Sequence, residues 1–210
     1  MAKNKLINVF CFNKEIGKLG FEPNKGESYF QYNPSFLENE AFSNLIPNTG
    51  IIQNVKQVQV FRKYNSDTFK SLPPTFADSL PDFFGNTIFK AWLENKHKSL
   101  KDISVLEQLA YVGNRGMGAF EYHPIEPIES SSTINLDEII EVLKNVLNLK
   151  QNTNAKALNQ EALLNIFKIG TSAGGARPKI LISENKITGE IMAGDINHSN
   201  DFHHHLIKLS

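Results

Sequence analysis

The chain has 210 residues, 40% of them hydrophobic and 21% charged, and its 22 basic and 22 acidic residues balance to a formal net charge of +0. That length allows one large or two small domains with a buried core, and the neutral balance argues against a protein that binds nucleic acid by itself, which usually carries a basic excess. No apolar run approaches the roughly 18 residues needed to span a bilayer, and the first residues lack a secretory pattern, so a cytoplasmic protein without a membrane partner is expected.

Residues 6–12 and 16–21 are rich in β-branched and aromatic types and flank Asn13-Lys14-Glu15, which predicts a strand–turn–strand hairpin. Cys11, the single cysteine, excludes an internal disulfide, fits a reducing compartment and is expected to be a buried strand residue. Pro23-Asn-Lys-Gly26 marks the next turn, and residues 27–32 read as a third strand that Asn33-Pro34 breaks. A fourth strand is expected at 55–61, where Val58 and Val60 alternate with polar neighbours. The first sixty residues thus predict a small, mostly antiparallel sheet.

Pro81 suits a first helical turn, with Ser79 as its cap. Beyond it Phe84, Ile88, Ala91 and Trp92 fall at helical spacing and define an apolar face, which reads as core. Asp78 and Asp82 lack a third polar partner and are assigned to turn and cap roles. Ser104 and Glu107 match a capping box for a second helix that buries Leu106, Leu109 and Ala110 and stops at Gly113. Gly113-Asn-Arg-Gly-Met-Gly118 then reads as a tight connection to a strand at 119–123 that returns to the N-terminal sheet, with Arg115 offering an anion-binding alternative. Residues 124–132 have a linker composition, and the main boundary is placed there. Amphipathic helices are expected through Leu136, Ile139, Ile140, Leu143 and Leu147, and through Leu158, Ala162, Leu163 and Ile166. Strands follow at 180–183, 191–193 and 204–209, with a turn at 185–189.

Between those helices and strands lies Lys168-Ile-Gly-Thr-Ser-Ala-Gly-Gly-Ala-Arg-Pro-Lys-Ile180. Glycines let successive amides point into one concavity that prefers an anion; Thr171 and Ser172 add hydroxyls, Arg177 and Lys179 positive charge. An ordinary glycine-rich turn is the competing reading. No Walker A pattern occurs in the chain. Ser172 does satisfy the letters Gly-x-Ser-x-Gly, but a nucleophile elbow needs a strand before and a helix after, and here the expected order is reversed. The His203–His204–His205 run invites a metal reading, yet neighbouring strand residues alternate faces and no second cluster has zinc-like spacing, so no metal site is assigned. Lys208 sits between apolar residues on an expected interior strand; there it either reaches the surface or meets a fixed anion such as a nucleotide phosphate.

The order Gly170-Thr-Ser-Ala-Gly-Gly-Ala-Arg-Pro-Lys179, strand, turn and His205-Leu-Ile-Lys-Leu209 resembles the start of the kinase core of HipA-type proteins, serine/threonine kinases that act as toxins of bacterial toxin–antitoxin pairs. The N-terminal hairpins, Phe76-Ala-Asp-Ser-Leu-Pro-Asp82, residues 106–113 and Gly116-Met-Gly-Ala-Phe120 resemble the same family upstream. The resemblance implies an α+β fold: a HipA-like subdomain over 1–125, with a mostly antiparallel sheet and packed helices, then over 126–210 the helices and first strands of a kinase-like N-lobe. It implies that Gly174, Gly175, Ala176, Arg177, Pro178 and Lys179 hold ATP, that Lys208 contacts its phosphates, and that Ser172 is an autophosphorylated off-switch. A dianionic phosphate on that serine would compete for the amides and cations that hold the nucleotide. Implied partners are a helix-turn-helix antitoxin, through which alone DNA is contacted, and an aminoacyl-tRNA synthetase as protein substrate.

Phosphoryl transfer also needs a carboxylate to orient the acceptor and oxygen ligands for magnesium. In HipA-type kinases these follow the strand lysine, whereas this sequence stops at Ser210. Catalytic residues and magnesium ligands are therefore expected outside this chain, which alone should be inactive. Two other functions compete: a non-enzymatic partner-binding component of a split toxin–antitoxin system, and a hydrolase using Ser172.

Overall fold

A computed structural model describes residues 6–38, 57–64, 66–81, 83–95, 97–116, 118–126, 179–194 and 200–208. The chain divides into two compact units, Met1–Leu80 with Ile103–Glu126, and Pro81–Asp102 with Pro127–Ser210.

In the first unit, β1 (Leu6–Cys11) and β2 (Lys14–Glu22) form the expected hairpin, but its turn is the pair Phe12-Asn13 rather than residues 13–15. Both turn residues have positive φ, 49° and 61°. That conformation matches the twist of a two-residue hairpin and suits asparagine well. The shorter turn is possible because a bulge takes up one residue. Val9 pairs with Gly17 and Phe10 with Glu15, leaving Ile16 between them. β3 (Glu27–Tyr32) follows a turn closed by Gly26 at φ 61°. Asn33 does more than break this strand. Its side chain accepts from the Ser35 amide and caps a short helix, α1 (Pro34–Leu37), which buries Phe36.

β4 spans Gln59–Phe61, with Val58 and Val60 on the exposed side and Phe61 in the core. α2 (Pro74–Ala77) inserts Phe76 into the core. Ser79, expected to cap the next helix, instead accepts a 2.7 Å hydrogen bond from the Tyr122 hydroxyl. The next helix begins only at Phe83, too far on for Ser79 to cap it, and the hydroxyl serves the fully buried Tyr122 phenol instead. The α4 helix (Val105–Val112) carries both bonds of the Ser104–Glu107 capping box and ends at Gly113, φ 55°. Its burial extends beyond the expected stripe, to Val105, Gln108, Tyr111 and Val112. β5 (Phe120–His123) then pairs antiparallel with β1 and completes a five-stranded sheet of order β4-β3-β2-β1-β5. The α+β reading of this part is thereby met.

The core lies on the sheet face carrying Ile7, Val9, Leu19, Phe30 and Tyr122, against Phe76, Leu106 and Leu109 from the helices. Cys11 is buried there as expected, and burial raises its thiol pKa. Two tyrosines make the unit sensitive to alkali. The Tyr32 hydroxyl is buried with no hydrogen-bond partner among the described residues. Burial pushes its pKa from the ordinary value near 10 up to about 12. Burial drives Tyr122 upward also. An unfolded chain ionises both phenols first, so their contribution to stability is intact below about pH 10 and falls as the pH rises through the folded value. We expect the urea midpoint to drop between about pH 10 and 12, and Tyr32→Phe to flatten that drop.

In the second unit, α3 (Phe83–Asn95) buries Phe89, Trp92 and Leu93, with the rings of Phe89 and Trp92 stacked at 5.9 Å. The Asn86 amide donates to the Pro81 carbonyl at 2.6 Å. A short 3-10 turn, Leu100–Asp102, follows. β6 (Lys179–Asn185), β7 (Ile191–Ala193) and β8 (Phe202–Lys208) form an antiparallel sheet of order β7-β6-β8, each strand overlapping an expected one. The helices expected around 136–147 and 158–167 lie outside the described residues. Among the described residues no helix is long and apolar enough to cross a membrane.

Candidate functional site

β6 begins at Lys179, where the glycine-rich stretch ends. Its apolar residues Ile180, Leu181 and Ile182 favour a strand, and Asn185 closes it by accepting from the Ile187 and Thr188 amides at 2.9 and 3.1 Å. β8 returns antiparallel with every residue in register, from Asn185↔Phe202 to Lys179↔Lys208. Directly opposed residues of an antiparallel pair project to the same side of the sheet. Lys179 and Lys208, 29 positions apart, therefore share one face at one end of the sheet. Neighbours on that face are Leu181 with Leu206 and Ser183 with His204.

The environment of Lys208 differs from the sequence expectation. β8 pairs only with β6 among the described residues, so it is an edge strand, and Leu206 is 54% exposed. Lys208 is likewise exposed, and burial gives it no need of an anion. What commends it is its position opposite a second cation. Edge strands commonly carry lysine, and sequence pattern does not separate an edge strand from a central one. Gly174, Gly175, Ala176, Arg177, Pro178 and Ser172 lie outside the described residues. A strand, β6, follows the serine where a nucleophile elbow would have a helix, the helix expected before it lies outside the described residues, and the hydrolase reading gains nothing from this order.

The opposite face of the same strands carries Glu184, His203 and His205, with Glu184 the cross-strand partner of His203. The Glu184 carboxylate lies 3.2 Å from Nε2 of His205. His204 points the other way, its Nδ1 2.8 Å from the buried Ser183 hydroxyl. Among the described residues no group of three or more His, Cys, Asp or Glu side chains is placed so that it could hold a metal ion. In the first unit, the second glycine-rich turn connects α4 to β5, and Arg115, just past the end of α4, donates to the Tyr111 carbonyl of that helix.

Residues 7–123 match the HipA N-terminal domain. The chain belongs to the HipA family. Searches of curated proteins and of solved structures returned no match. The HipA match begins in β1 and ends on the last residue of β5, so it takes in the whole five-stranded sheet and its helices. Membership places the protein in a toxin–antitoxin context. The HipA match does not extend to Lys179 or Lys208.

Proposed function

We propose that this HipA protein is the nucleotide-holding portion of a serine/threonine kinase toxin. The observation that carries the reading is the register of β6 with β8, which puts Lys179, the last residue of the glycine-rich stretch, opposite Lys208. A polyphosphate lying across two cations on one face would meet both of them at once. In this proposal the Gly174, Gly175 and Ala176 amides with Arg177 and Lys179 cradle ATP, Pro178 stiffens the exit into β6, and Lys208 meets the phosphates. Magnesium bound with the nucleotide would supply positive charge against that developing on the phosphates. Phosphoryl transfer also needs carboxylates that hold that ion and orient the acceptor, and in HipA-type kinases these follow the strand lysine. The acceptor is a protein such as an aminoacyl-tRNA synthetase, and a helix-turn-helix antitoxin is the partner that reaches DNA. Phosphorylation of Ser172 would switch the loop off by placing a dianion among the same amides and cations.

Binding of a non-hydrolysable ATP analogue to the chain, followed by fluorescence or calorimetry, tests the site. Lys208→Ala should weaken it about ten-fold, in keeping with the loss of one charge-assisted contact. Unchanged affinity would remove Lys208 from the site. A second reading, a partner-binding component without kinase activity, draws on the fact that the family match ends before the loop. Enzyme-dependent transfer of phosphate to a synthetase by the whole protein would exclude it.

A further inference from the structure

We propose that Glu184, His203 and His205 form a binding site for a divalent transition-metal ion, zinc by preference, on the sheet face opposite the lysines. Two imidazoles and a carboxylate are a donor set that suits such ions and leaves a coordination position for water. His203 and His205 are alternate residues of one strand and so stand on one side, with His204 turned to the other. Glu184 is brought to them by register, as the direct partner of His203 and a 3.2 Å neighbour of His205 Nε2.

Binding an ion requires these side chains to rearrange. The two imidazole centroids are 6.2 Å apart. Two imidazoles bound to one ion through nitrogens at about 2.1 Å, at a near-tetrahedral angle, have centroids about 5 Å apart. The rings pack edge to face at 61°, so closing that gap also means turning them until a nitrogen of each faces the ion, and all three side chains are exposed, which leaves room for that rotation. The Glu184–His205 contact would open to admit the ion between the two groups. Ile182, the cross-strand partner of His205 on the same face, is buried and gives the site an apolar neighbour. A bound ion would tie β6 to β8 on this face and so pin the same register that opposes Lys179 and Lys208 on the other.

The test is calorimetric titration of the untagged full chain with Zn²⁺ alone, supported by Co²⁺ absorption as a report of ligand geometry. We expect one ion per chain, with affinity weakened on the order of ten-fold or more by His203→Ala, by His205→Ala and by the near-isosteric Glu184→Gln. His204→Ala, on the wrong face, should stay within about two-fold of the parent. Unchanged circular dichroism in these surface variants will show that any loss arises at the site. Absence of saturable binding would overturn the proposal. So would a loss in His204→Ala equal to the others, since that marks indiscriminate chelation by a histidine run.

Discussion

Replacing Gly17 with alanine should cost the N-terminal sheet roughly 3 kcal/mol or more, the scale of forced overpacking in a core that cannot relax. Gly17 lies in β2 between Val9 of β1 and Tyr32 of β3, just past the bulge. A β-carbon there would run into the Gln31 carbonyl and come within 2.7 Å of Cζ of Phe30. The first obstacle is backbone of the adjoining strand, held at ladder distance by its pairing with β2, and cannot swing away. The second is a fully buried ring packed 4.9 Å from Tyr32 and 5.0 Å from Phe76. Relief on either side would tear contacts at the centre of the core. Gly118→Ala is the matched control, because nothing lies within 4 Å of the β-carbon it would add. Urea unfolding of the two variants should separate them by at least about 2 kcal/mol. Equal midpoints would mean that the β2–β3 ladder is far softer than its register implies.

Much of this sheet could be read from residues alone, and the exceptions share a cause. Strand type and order follow from local pattern: alternation in β1 and β2, proline and glycine at the turn before β3, and the Ser104–Glu107 spacing ahead of α4. Each of these signals lies within a few residues of the element it specifies. The bulge at Val9/Phe10 has no such signal, and it is what moves the turn to Phe12-Asn13. Ser28 donating to the Ser71 carbonyl at 2.6 Å joins residues 43 apart, and Lys70 and Ser71 stand at φ 48° and 65° beside it. The Tyr122–Ser79 bond spans 43 positions likewise and diverts a residue whose local pattern reads as a cap. In the second sheet, local pattern finds all three strands but neither the edge position of β8 nor the pairing of Glu184 with His203. Those depend on which strand lies beside which, information that a pattern of period two does not hold. Lys208 could be singled out by its neighbours in sequence, but its environment could not be.

Reversing the charge of Lys208 should move stability and nucleotide binding in opposite directions. In the native pairing, Lys208 and Lys179 are directly opposed, an arrangement that repels. Lys208→Glu turns this into an attractive cross-strand pair worth about 0.2–1 kcal/mol, so the β6–β8 ladder should be unchanged or slightly firmer. The same change removes a cation from the proposed phosphate site and sets a carboxylate there. We expect affinity for the ATP analogue to fall on the order of a hundred-fold, well beyond the loss from Lys208→Ala. Adding Lys179→Glu restores like-charge repulsion, now between carboxylates, and should cancel the gain in stability without recovering binding. A lysine kept merely to blunt an exposed strand edge makes a different prediction, because either charge serves that purpose. Lys208→Glu would then leave both properties nearly as they were. A role in packing predicts that both fall together. A nucleotide site that uses the Lys208 charge predicts instead a sheet that is no weaker and a nucleotide that no longer binds.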